Sequence, residues 1–158
     1  MAIAITRKSL YDSDFLLWTQ DTVAKIKARD FDRVDFENLI EEIEALGRSE
    51  KKELASRLET LLAHCLKRLY ANMPQEFNGW EWTIREQRRR LTQALRKTPS
   101  LKSVWDELLD DAWEFALDTI RDDYRQYQFP DTWQFGHDID TILNVDFWVC
   151  PCSTDVII

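Results

Sequence analysis

The chain has 158 residues, with 21 Lys plus Arg against 29 Asp plus Glu for a net charge of −8, 44% hydrophobic content, and only 3 Gly and 4 Pro. That length suits one hydrophobic core burying about 70% of the unfolded chain's surface, and the apolar content excludes global disorder. The shortage of Gly and Pro leaves too few turn residues for sandwiches, barrels or phosphate-cradling loops. The acidic balance argues against general attraction to nucleic acid or anionic lipid.

Asp12 or Ser13 can cap a first helix running to about Ala28, in which Phe15, Thr19, Thr22 and Ile26 recur at helical spacing. Asp35 caps a second, with Phe36, Leu39, Ile40, Ile43 and Leu46 forming one stripe and Gly47 placed as the C′ residue. Ser49 can start a third, carrying Leu54, Leu58, Leu61, Cys65 and Leu69 at steps of three or four. A single helix through Gly47 is the alternative, because one glycine costs only about 1 kcal/mol there; the break is preferred. Met73 to Gly79, with Pro74 and Asn78-Gly79, reads as a loop. A fourth helix runs from about Trp80 to Lys97 on a face of Trp80, Ile84, Leu91 and Leu95. Thr98 and Pro99 cap and open a fifth that is apolar around more than half its circumference and extends to about Gln128. A short sixth helix, from about Asp138 to Asn144, precedes an aromatic tail. No segment alternates as a strand would. The expectation is an all-α, single-domain antiparallel bundle of five to six helices over 1–158, with a core at 10–147 and peripheral tails at 1–9 and 148–158.

Ala2 to Ile5 is too short for a signal peptide's apolar region, and no stretch approaches the ~18 apolar residues of a membrane span. Three cysteines, Cys65, Cys150 and Cys152, make no disulfide framework. A soluble, cytoplasmic protein with no membrane partner is therefore expected.

Charge is placed unevenly: residues 35–49 carry −4, residues 80–98 carry +4 and residues 99–131 carry −6. Glu37, Glu41 and Glu44, at i, i+4 and i+7, stack three carboxylates along one edge of the second helix's apolar stripe. Like charges at that spacing repel, so something cationic should lie across from them, a metal ion or a neighbouring helix. Arg85, Arg89 and Arg96 line one edge of the fourth helix, and Arg88 falls within its apolar face, where an unpaired guanidinium is costly. The preferred reading is a structural ion-pair network joining Glu37, Glu41 and Glu44 to Arg85, Arg88 and Arg89. A carboxylate-bridged metal site would want Glu-x-x-His motifs that the chain lacks, so no metal and no cofactor is expected.

His64 lies near Arg57 and Arg68 on the third helix, where the three form a candidate anion or partner site. Arg88, Arg89 and Arg90 beside Trp80 and Trp82 have the ingredients of nucleic-acid contact. Consecutive helical residues point about 100° apart, however, so the three arginines spread around the helix. Cys150-Pro-Cys152 lacks the further ligands that zinc requires. Trp133 and Trp148 are the candidates for docking a tail or partner, and the other tryptophans read as packing residues.

The pattern Tyr11-Asp12-x-Asp14-Phe15-x-x-Trp18 followed by Asn38-Leu39-x-Glu41-Glu42-Ile43-Glu44-x-Leu46-Gly47 resembles a bacterial family catalogued as domain of unknown function twenty-nine. So do Leu61-Leu62-x-His64, Thr83-Ile84-Arg85-Glu86-Gln87-Arg88 and Thr98-Pro99-Ser100-Leu101, over roughly Tyr11 to Phe147. The resemblance implies a compact helical domain and carries over no activity, cofactor or catalytic residue. The function expected is therefore a non-catalytic protein-interaction or scaffold module, acting on a protein partner or by self-association. The alternatives are a nucleic-acid-binding accessory protein using the Arg85 to Lys97 segment and a metal-dependent enzyme using Glu37, Glu41, Glu44 and His64.

Overall fold

The computed structural model describes residues 9–149. Six α-helices and no strand occur among them, confirming the all-α class. The chain divides into two compact units, with described residues 9–48 in the first and 49–149 in the second.

In the first unit the expected single opening helix is two. Ser9 caps α1, Leu10–Ser13, by accepting from the Asp12 amide, and Asp14 caps α2, Phe15–Lys27, by accepting from the Leu17 amide at 3.0 Å. Asp14 itself is extended, so a second side-chain cap, not continued periodicity, decides the boundary. Arg29, at φ 56°, reverses the chain after α2 in the left-handed region, and a 3-10 turn at Phe31–Arg33 leads to α3, Phe36–Tyr70. Among the described residues of the unit, Trp18, Thr22 and Val34 are buried. Tyr11 meets the Trp18 ring edge-on at 4.9 Å between centroids, and Phe15 stacks on it at 5.7 Å.

Helix α3 runs through Gly47, which overturns the expected break between a second and a third helix. No glycine has positive φ, so Gly47 does not adopt the left-handed turn of a C′ residue. Its penalty of about 1 kcal/mol is too small to stop a helix flanked by good helix formers.

The second unit comprises the rest of α3, α4 (Phe77–Lys97), α5 (Trp105–Asp123) and α6 (Ile139–Asn144). Its core follows the periodicity. Leu54, Leu58, Leu61 and Cys65 of α3 are buried with Ile84, Leu91 and Leu95 of α4 and Trp105, Leu109, Ala112 and Ala116 of α5. The boundaries differ in three places. A 3-10 turn at Pro74–Glu76 starts α4 at Phe77, so Asn78-Gly79 is helical and not loop. Pro99–Val104 is 3-10 without a Thr98 side-chain cap, so α5 starts six residues later than expected, and it ends at Asp123, not near Gln128. The short sixth helix falls where expected, and Asp138 caps it by accepting from the Thr141 amide at 3.0 Å.

Candidate functional site

In the first unit, the face that α3 turns to its neighbours is not the apolar one. Asn38, Leu39, Glu42 and Ala45 are partly buried, and the Tyr11 hydroxyl donates to Glu42 Oε1. That bond, with burial and the nearby carboxylates, raises the Tyr11 pKa above its ordinary value. Of the stripe expected to be core, Leu39 is partly buried, and Phe36, Ile40, Ile43 and Leu46 are left 47%, 53%, 59% and 69% exposed. Helix α2 adds Leu16 and Val23, seven residues apart on one face and both exposed.

The carboxylates flank that stripe. Each of Glu37, Glu41 and Glu44 follows a stripe residue by one position, which sets them along one edge. Of the expected ion-pair network, Glu37, Glu41 and Glu44 fall in the first unit and Arg85, Arg88 and Arg89 in the second. Arg48, on the same helix, takes Glu41 at 2.7 Å and approaches Glu44 at 4.0 Å, and no ion pair among the described residues includes Glu37. On α4, Arg89 bonds Glu86, three residues before it on the same helix, at 2.8 Å, and no ion pair among the described residues includes Arg85.

Arg88 is buried as expected, with different partners. Nε donates to the Ile142 carbonyl at 3.0 Å, Nη2 to the Val145 carbonyl, and Nη1 to Asp146 Oδ1 at 3.0 Å. The guanidinium thus caps the C-terminal end of α6, where unpaired carbonyls accumulate partial negative charge. The adjoining tail is packed: Phe147 lies edge-on to Trp133 at 4.9 Å, and Trp148 sits against the Arg68 guanidinium at 5.4 Å. Trp133 is buried and donates to the Gly136 carbonyl, so it belongs to the core of its own unit. Asp146 carried a signal in the sequence, being one of few acidic residues in an aromatic segment, but nothing local ties it to Arg88, 58 positions away.

The expected anion site of Arg57, His64 and Arg68 is not assembled. Arg57 bonds Glu53 at 2.7 Å and Gln87 at 3.4 Å, while Arg68 bonds Glu81 at 2.7 Å and lies 3.9 Å over the Phe77 ring. Helical neighbours and the adjacent α4 take both guanidinia. His64 instead pairs with Lys67, one turn on, which sequence reasoning passed over in favour of the arginines. His64 Nδ1 donates to the Thr60 carbonyl at 2.8 Å, leaving Nε2 to accept from Lys67 Nζ at 3.3 Å. Burial, and then the Lys67 charge, lower the His64 pKa. Burial also lowers that of Lys67, whose ammonium faces the Trp80 ring at 5.3 Å and the Tyr124 ring at 5.7 Å. The pair lines a cleft of about 270 Å³ between α3 and α5 that also holds Glu59 and Asp123. With acidic groups matching the lysine, it offers no concentrated positive charge to an anion.

In the Arg85 to Lys97 segment half of the cations are engaged, while Arg85, Arg96 and Lys97 are exposed. Arg88 is enclosed, and Arg89 and Arg90 share Glu86, whose carboxyl these two hydrogen bonds hold down at about 2. Arg90 and Lys97 also border a cleft with Arg57, opposite Glu50 and Glu53. Among the described residues no group of three or more His, Cys, Asp or Glu side chains is placed to hold a metal ion. Cys65 is fully buried, which pushes its thiol up to about 12. The Cys150-Pro-Cys152 pair lies outside the described residues. No described helix is long and apolar enough to cross a membrane.

The family described as Domain of unknown function DUF29 matches residues 10–148. Neither a curated protein nor a solved structure matches the chain.

Proposed function

The chain belongs to the Domain of unknown function DUF29 family, and we propose that it is a non-catalytic protein-interaction or scaffold module whose first unit carries the binding surface. The observation that supports this reading is the solvent-exposed row Phe36, Ile40, Ile43 and Leu46 on α3. Leaving four large apolar side chains about half exposed on one helical face forgoes about 1 kcal/mol or somewhat more for each. Among the described residues of that unit, Trp18, Thr22 and Val34 are buried, so the row is a large share of its apolar surface. A partner that covers the row recovers that free energy.

The aromatic tail is a weaker candidate than its composition implies, because Phe147 and Trp148 are engaged within their own unit. A nucleic-acid partner draws less support from α4, where Arg88 is enclosed and Arg89 and Arg90 share Glu86, which leaves Arg85 and Arg96 exposed. The test is a photo-crosslinking residue at Ile43 in the native cell, with the same residue at Lys102 as the control. The expected result is a discrete protein adduct from position 43, insensitive to nuclease and absent from position 102. Equal labelling at both positions, or an adduct removed by nuclease, would overturn the reading.

A further inference from the structure

The exposed stripe of α3 is asymmetric, and the asymmetry specifies a partner. On one side of Phe36, Ile40 and Ile43 run Glu37, Glu41 and Glu44, all exposed, and residues 35–49 carry −4. Among the described residues of the unit, the cation on this edge is Arg48, at 2.7 Å from Glu41 and 4.0 Å from Glu44, which relieves part of the repulsion. We propose that the occupant of this face is an amphipathic helix with an apolar stripe and a Lys- or Arg-rich edge, laid along Phe36, Ile40, Ile43 and Leu46 so that its cations meet Glu37, Glu41 and Glu44.

This rests on the interaction-module reading and adds the chemistry of the partner. A helix is the matching shape because the stripe follows i, i+4, i+7 and i+10, the anchor spacing that helix-against-helix packing uses. Its cations supply opposite charge to an edge that stays net acidic despite Arg48. The other occupants fit less well. A second copy of this chain brings the same excess of negative charge to the interface, and an anionic lipid surface is repelled by the carboxylates that border the apolar row.

The test titrates the full chain into two fluorescein-labelled helical peptides of about 18 residues, long enough to hold helical structure. Both carry the same leucine stripe, one with lysine and one with glutamate on its polar face, and binding is read by anisotropy. The lysine peptide should bind at least about tenfold more tightly than the glutamate peptide and weaken as salt rises from about 50 to 500 mM. Ile40→Ser with Ile43→Ser should reduce its affinity at least about tenfold. Glu37→Gln, Glu41→Gln and Glu44→Gln together should reduce it several-fold. The control Asp110→Asn, Asp111→Asn and Glu114→Gln removes as much charge from α5 and should leave binding intact.

Equal affinity for the two peptides, with loss in the isoleucine variant, would keep the docking face and refute the charge preference. Binding that the α5 control weakens as much as the α3 variant would show general attraction to an acidic protein and overturn the proposal. No response to the isoleucine changes would remove the interaction-module reading at this face as well. Sedimentation showing a dimer that the isoleucine variant dissociates would assign the face to a second copy and likewise overturn it.

Discussion

Replacing Arg88 by methionine keeps most of the buried aliphatic stem and removes the guanidinium. The Ile142 carbonyl loses a donor at 3.0 Å and the Val145 carbonyl loses its own, at the end of α6, where neither is replaced by a helical amide. Hydrogen bonds to a charged donor contribute about 1.5–3 kcal/mol each, and removing one partner of a buried ionic network costs about 3–5 kcal/mol. Asp146 contributes little to that figure. Its side chain is 57% exposed, so the ion pair at 3.0 Å is largely screened, and Asp146→Asn should cost no more than about 1 kcal/mol. Arg88→Met should therefore lose about 3–5 kcal/mol, equivalent to a fall in Tm of roughly 10 °C for a chain of this size. Urea denaturation followed by far-ultraviolet circular dichroism and tryptophan fluorescence measures both variants. Arg88→Met unfolding within about 1 kcal/mol of the parent, or Asp146→Asn costing as much as Arg88→Met, would refute the assignment of stability to the carbonyl bonds.

Gly47→Ala should stabilise the protein by about 0.5–1 kcal/mol, because an added Cβ meets nothing within 4 Å and the position is mid-helix; a lowered urea midpoint would contradict the continuity of α3. His64 is held below its ordinary value of 6.5 by burial and by Lys67, so its neutral form is the one that folding favours. The unfolded state then takes up the proton first, and His64 contributes stability above about 6.5 that is lost as pH falls through that value towards the folded pKa. His64→Gln should flatten the stability difference between pH 7 and pH 5, and an unchanged slope in denaturation at the two pH values would count against it. With its thiol at about 12 and fully buried, Cys65 should resist iodoacetamide at pH 8 until denaturant is added. Peptide mapping that finds it alkylated in the native protein would show that the core opens readily.

Much of the second unit could be read directly from the chain. Leu54, Leu58, Leu61 and Cys65, with Ile84, Leu91 and Leu95, are buried as their spacing predicts, because a helix with one apolar stripe has one face to bury. The short sixth helix was equally legible, since capping depends on residues within one turn. Periodicity also located the α3 stripe correctly and assigned it the wrong environment. Whether an apolar face is covered depends on which neighbour is available, and in the first unit Tyr11 engages the Glu42 side of the helix.

The sequence by itself determined that the chain is helical, that Arg88 needs buried partners and that Glu37, Glu41 and Glu44 form a charged edge. These follow from side-chain chemistry and the 3.6-residue repeat. Only the tertiary structure decided that Arg88 is satisfied by the carbonyls ending α6 and by Asp146, and that His64 works with Lys67 while Arg57 and Arg68 turn to other partners. Partner choice among several compatible charges is set by which backbone and side-chain atoms packing brings within about 3 Å, and that selection is long-range.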